Sequence, residues 1–181
     1  MLWGRGWQGG YGAARMTSPD DVAPGAGPLV VGAADLIEAM SPMRREDGTI
    51  AVRATALAMS AGALLIVGAP GSGKSGLAAQ FLRTEKAGLI ADDIAVCLQG
   101  SAGPIVSAPR NAPALIELRG IGLLPVTLAP ATPLRAVVFL SPSRARLPET
   151  EDVTLLGTPI EVVRHPYRHD AAAKIALWFV A

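Results

Sequence analysis

The sequence lacks several residues and patterns that would announce a binding chemistry by themselves. It has one cysteine in 181 residues, so neither an intrachain disulfide nor a cysteine-based metal site can form, and a reducing, cytoplasmic setting is expected. Cys97 itself reads as a small buried apolar residue. Charge of one sign is missing too. Sixteen Lys+Arg against fifteen Asp+Glu leave a net charge of +1, and the basic residues are scattered, which argues against nucleic acid as a partner. Of the two histidines, His165 and His169 stand four apart around Pro166, which rules against a helical two-histidine metal site.

A membrane segment and a secretory signal are also not expected. Ala54–Gly73 runs twenty residues without a charge, long enough to span a bilayer. It contains Ser60, Gly62, Pro70, Gly71 and Gly73, however, and so reads as two buried strands joined by a turn at Ser60-Ala61-Gly62. No apolar region follows Arg5, and Met16 is as good a start as Met1. Residues 1–28 hold seven glycines, three prolines, Trp3, Trp7 and Tyr11 without periodicity, and are expected to be an extension without fixed structure.

What is present points to one α/β domain over residues 29–181, since 50% hydrophobic content is ample for a core. Its strongest signal is Gly68-Ala69-Pro70-Gly71-Ser72-Gly73-Lys74-Ser75, which fits G-x-x-x-x-G-K-[ST] at every fixed position. Glycines let successive backbone N–H groups face one concavity that holds a polyphosphate. Lys74 adds a charge for the β- and γ-phosphates, Ser75 a hydroxyl for the bridging Mg²⁺, and the helix opening at Lys74 its positive end. Apolar Ala63–Val67 before the loop, and Leu77, Phe81 and Leu82 at helical spacing after it, give the strand–loop–helix order that the motif requires.

Asp92 and Asp93 break the apolar run Leu89–Val96. Acids at the end of a buried strand beside a phosphate loop serve to meet Mg²⁺ or a proton, so both are candidates. Asp92 lies eighteen residues after Lys74, one helix plus a turn, and the strand is expected to return alongside the first and bring Asp92 near the γ-phosphate. A polar strand end or a helix cap would use the same pair. In Ala114–Gly122, Glu117 and Arg119 are one acid and one base in apolar surroundings. They are either paired or coordinating, or lie together on the open face of a strand.

The remaining pattern predicts a helix over Asp35–Met40, a strand over Thr49–Met59 in a hairpin with Ala63–Val67, and a turn at Glu85–Gly88. It predicts strands over Leu123–Leu128 and Leu134–Leu140 and a polar loop over Ser141–Asp152 with Arg144 and Arg146. Val153–Val163 reads as a strand broken at Gly157-Thr158-Pro159, and Asp170–Phe179 as an Ala-rich helix with Asp170 as its cap.

Taken together, GAPGSGKS, LIADDIAV, IELRGIG and RLPETEDVTLLGTPIEVVRHPYRHDAAAKI resemble the short, single-domain form of HPr kinase/phosphorylase over about Thr49–Ile175. The specific part is the acid pair eighteen residues after the loop lysine, followed twenty-five residues on by the glutamate of an E-x-R-G-x-G segment. The resemblance implies a P-loop-containing, phosphoenolpyruvate-carboxykinase-like α/β kinase domain with a mixed sheet, commonly a hexamer. The implied activity is ATP- and Mg²⁺-dependent phosphorylation of a serine on an HPr-type phosphocarrier protein, with the reverse phosphorolysis as a second direction. Lys74 and Asp92 would then be catalytic, Asp92 as the base, with Arg119 and Arg146. Ser75 and Glu117 would bind Mg²⁺, with Asp93 as a further candidate, and Pro166–Arg168 falls where the phosphorolysis segment would be. Two positions depart from the family: Arg53 stands where a histidine is usual, and Gly76 where an acid is usual. An ATP-binding sensor without turnover and a small-molecule P-loop kinase are the other readings.

Overall fold

A computed structural model describes residues 29–83, 87–142 and 150–181. Expectations about residues 1–28, Glu85, Lys86, Arg144 and Arg146 therefore lie outside the described residues.

The chain begins with β1 (Val30–Val31), α1 (Ala34–Met40), β2 (Met43–Arg44), β3 (Ile50–Arg53), β4 (Thr55–Met59) and β5 (Gly62–Gly68). After the glycine loop come α2 (Lys74–Leu82), β6 (Ala87–Ala91), β7 (Ile94–Gly100) and β8 (Gly103–Ser107). A separate hairpin of β9 (Leu115–Leu118) and β10 (Gly122–Pro125) precedes β11 (Thr132–Leu140), β12 (Glu151–Leu155), β13 (Thr158–His165) and α3 (Ala171–Val180).

The sheet is mixed. β5, which feeds the loop, runs parallel to β11, which runs parallel to β13, while β4 pairs antiparallel with β5 on the other side. β5 is buried from Ala63 to Gly68, as a central strand covered on both faces must be. Its alternate side chains feed two cores. Leu64 and Ile66 join Leu77 and Phe81 of α2 and Ile175 and Phe179 of α3 on one face. Leu65 and Val67 join Leu36 and Met40 of α1 and residues of β3 and β7 on the other.

Several predicted elements are redrawn. The single strand over Thr49–Met59 is two strands that part at Ala54: β4 keeps the expected hairpin with β5, whereas β3 leaves to pair with β7. The run around Asp92 likewise divides into β6 and β7, and β6 lies against β4 rather than alongside β5. Both crossings occur at one corner, where Ala54 N–H donates to the Asp93 carbonyl at 3.0 Å and Asp93 takes φ 69°, a left-handed conformation that a short polar side chain tolerates. Ala87 and Gly88 belong to β6 rather than to a turn, the strand expected to reach Leu128 stops at Pro125, and Glu151 and Asp152 extend β12 into the expected loop. The turn between β12 and β13 is Leu156-Gly157, with Thr158 and Pro159 already in β13. Asp170 stands at the start of α3 but caps nothing with its side chain, which pairs instead with Lys174 at 2.6 Å.

Candidate functional site

The glycine loop crosses from β5 to α2, with Gly71 and Gly73 at φ 78° and 99°, where an L side chain is strained. Leu77 N–H donates to the Gly73 carbonyl at 2.8 Å, so the helix is hydrogen-bonded from the loop's last glycine onward. Lys74 Nζ folds back over the loop and donates to the Gly68 and Ala69 carbonyls at 3.0 and 3.2 Å. Burial lowers the pKa of Lys74 and outweighs the opposing pull of Asp93 and Asp92, while Arg53 adds to the lowering.

The corner between the two parts of the sheet delivers Asp92 to this loop. Its Oδ1 accepts from Thr55 Oγ1 at 2.8 Å, and Ser75 Oγ donates to the carboxylate at 3.1 Å to Oδ1 and 3.3 Å to Oδ2. Glu117 N–H donates to Oδ2 at 3.2 Å. Donors from β4, α2 and β9 thus fix one carboxylate, and the acid expected near the loop is in direct contact with the loop serine. Asp93 lines the loop cleft as well, its carboxylate 3.9 Å from the Arg53 guanidinium, and both side chains are too exposed for the pair to contribute much.

The β9–β10 hairpin is held by Ile116, which is buried in the α2–α3 core. Neighbouring Glu117 then faces the loop cleft, as strand alternation requires. The sequence left open whether Glu117 and Arg119 share a strand face. They do not, because Arg119 lies in the turn closed by Ile121 N–H to the Leu118 carbonyl at 2.9 Å. From that turn its guanidinium reaches the loop, with Nη1 3.6 Å from where a Cβ on Gly71 would stand.

These groups line one cleft of about 690 Å³. Lys74, Ser75, Asp92, Glu117 and Arg119 meet there, together with Asp93 and Arg53. Of the Pro166–Arg168 segment, Tyr167 lines the cleft, its ring beside Gly73 and its hydroxyl beside Gly76. Sequence reasoning missed Thr55, and reached Tyr167 only as part of the Pro166–Arg168 segment. Thr55 is the one polar side chain fully buried among the described residues, and a lone threonine within Ala54–Leu57 was the available signal. Tyr167 had no local signal beyond its segment.

The donor set suits Mg²⁺. Among the described residues no three His, Cys, Asp or Glu side chains converge on a cation site. The Ser75 hydroxyl and the Glu117 carboxylate line the same cleft and are oxygen donors of the kind that hold Mg²⁺ jointly with phosphate oxygens. No helix of the described residues is long and apolar enough to cross a membrane.

No protein-family model and no curated protein sequence matches this chain. Among solved structures it is similar to the Hpr(Ser) kinase/phosphatase from Coxiella burnetii, with a TM-score of 0.62 and 22% identity over 70% of this chain and 91% of that one. That likeness establishes the fold. The chain adopts the mixed α/β architecture expected from the sequence, with the glycine loop set between β5 and α2.

Proposed function

We propose that this chain is an ATP-dependent protein serine kinase whose acceptor is a seryl hydroxyl on a small HPr-type phosphocarrier protein. One observation carries the reading: the Asp92 carboxylate is held in contact with Ser75 and in the same cleft as Lys74, so a proton acceptor stands at the end of a polyphosphate cradle. A cradle alone would argue only for nucleotide binding.

In this reading the loop amides and Lys74 bind and orient the β- and γ-phosphates of ATP. Mg²⁺, held by Ser75 and Glu117, would supply charge neutralisation across those phosphates. Asp92, oriented by Thr55, Ser75 and the Glu117 N–H, accepts the seryl proton as the serine oxygen attacks the γ-phosphorus in line. The bond to the β-phosphate oxygen breaks, and ADP is the leaving group. Arg119, above Gly71, offers a fixed positive charge to the transferring group. Arg53 carries charge into the cleft but exchanges no proton near neutrality, so it assists phosphate binding and leaves acid–base work to Asp92. The likeness in fold to an Hpr(Ser) kinase/phosphatase supports the choice of acceptor, and assembly into a hexamer belongs to the same reading.

The test is incubation with labelled ATP, Mg²⁺ and a purified HPr-type carrier, followed by addition of inorganic phosphate. Label on a carrier serine is expected, with its removal by phosphate reporting on the reverse direction. ATP-induced thermal stabilisation without any labelled serine would overturn the kinase assignment in favour of a nucleotide sensor.

A further inference from the structure

We infer that Tyr167 forms the nucleoside subsite of the cleft, its ring serving as the platform on which a nucleotide base stacks. This rests on the nucleotide reading above and adds what holds the rest of the nucleotide.

The loop divides the cleft by chemistry. Lys74 and Ser75 claim the β- and γ-phosphates, so the remainder of a nucleotide has to leave past the first turn of α2. The cleft continues there: Gly76, next after the loop serine, and Ala79, about one helical turn of 5 Å further on, line it together with Tyr167. Those two helix residues bring no charge and no side-chain donor. Beyond the free N–H groups of the helix start, which suit the phosphates, such a wall suits a flat, weakly polar base.

Tyr167 is also held as a stacking platform has to be. Two of its ring carbons lie 2.6 Å from where a Cβ on Gly73 would stand, and its hydroxyl lies 2.8 Å from the corresponding point on Gly76. The ring is therefore laid along the helix start in space that only glycine leaves open. Gln80 Nε2 donates to the hydroxyl at 3.3 Å and fixes the far end. The residue nevertheless remains 45% exposed and lines the cleft. An aromatic ring seated against backbone and free toward a cleft is preorganised, so stacking on it sacrifices little side-chain freedom. A π-face is tolerant of base identity, and the ligand class is a nucleoside triphosphate rather than one particular base.

The experiment compares binding of ATP and of inorganic tripolyphosphate, each with Mg²⁺, to the wild-type chain and to Tyr167→Phe and Tyr167→Leu. Leucine keeps bulk against the glycines but has no aromatic face. The wild type is expected to prefer ATP by about tenfold or more, the range of base–aromatic stacking. Tyr167→Phe should keep that preference. Tyr167→Leu should lose it, with tripolyphosphate affinity unchanged. If Tyr167→Leu weakens both ligands equally, the ring is a support for the loop and the inference fails. Equal wild-type affinity for both ligands, with carrier still labelled, defeats this inference alone. A wild-type chain that binds neither defeats the nucleotide reading and this inference with it.

Discussion

The hydroxyl of Tyr167 lies 2.8 Å from where a Cβ on Gly76 would stand, so residues ninety-one positions apart share one space. Gly76, where the kinases that the sequence resembles usually carry an acid, thereby leaves room for a ring. Replacing a helix-interior glycine by alanine normally stabilises by roughly 0.5–1 kcal/mol. Here the new methyl has to displace the phenol. Gly76→Ala is expected to be less stabilising in the wild type than in a Tyr167→Ala background, by about 0.5–1 kcal/mol in urea unfolding. Equal effects in both backgrounds would show that the two positions are not coupled.

The loop and its flanking elements were legible because their signals are local: an apolar run, a glycine spacing, and Leu77 and Phe81 four apart. The corner was not. A strand that leaves one part of a sheet for another keeps its apolar pattern, so nothing in Thr49–Met59 marks Ala54 as a crossing point. The hydrogen bond that fixes the corner is accepted by the Asp93 carbonyl, thirty-nine residues away. Thr55 meets Asp92 over a similar separation, and the Gly73–Tyr167 contact spans more than half the chain. The chemistry of the site could be named from the residue types, but which donors orient Asp92 is a consequence of sheet topology.

Asp92→Asn is expected to lower phosphoryl transfer by at least about 100-fold, the usual contribution of a positioned base, while ATP still raises the melting temperature. The amide cannot accept a proton, and if its NH₂ occupies the Oδ2 position it faces the Glu117 N–H donor. Unchanged transfer to the carrier would remove Asp92 from the role of base.

Thr55→Val keeps the shape of a fully buried side chain and removes one donor to Asp92. Because Asp92 is half-buried and water can replace part of that bond, the expected cost is about 1 kcal/mol of stability. As Thr55 acts only through Asp92, kcat should fall with the KM for ATP unchanged. A higher KM with kcat intact would show that Thr55 shapes the loop instead.

Burial pushes the Cys97 thiol up to about 12 from its ordinary 9.0. Between those values the unfolded chain has lost the proton and the folded chain has kept it, so the unfolded state binds fewer protons and stability falls as pH rises. The slope from this one group is at most about 1.4 kcal/mol per pH unit. Cys97→Ala should flatten the decline in urea midpoint between pH 9 and 11, and the native thiol should resist alkylation until the chain unfolds.

Arg164 joins three elements through one side chain. Its Nη1 and Nη2 donate to Asp35 of α1 at 2.5 and 2.9 Å, and its Nε and Nη2 donate to Glu151 of β12 at 2.5 and 2.8 Å. The guanidinium also lies 4.7 Å from the Phe139 ring centroid. These partners raise its pKa further, and its hydrogen bond to Asp35 is the largest cause of the lowered Asp35 pKa. A lowered carboxylate contributes stability above its unfolded value of 3.8, and that contribution is lost as pH falls through the folded value. Arg164→Leu leaves two carboxylates without their shared cation. Asp35 is well exposed, so the cost near neutrality is expected at about 2 kcal/mol, below that of a fully buried pair. As pH falls below 3.8 and through the lowered folded value of Asp35, the difference between wild type and variant should shrink. A difference in unfolding free energy that stayed constant from pH 7 to pH 3 would assign the loss to packing over Phe139 rather than to charge.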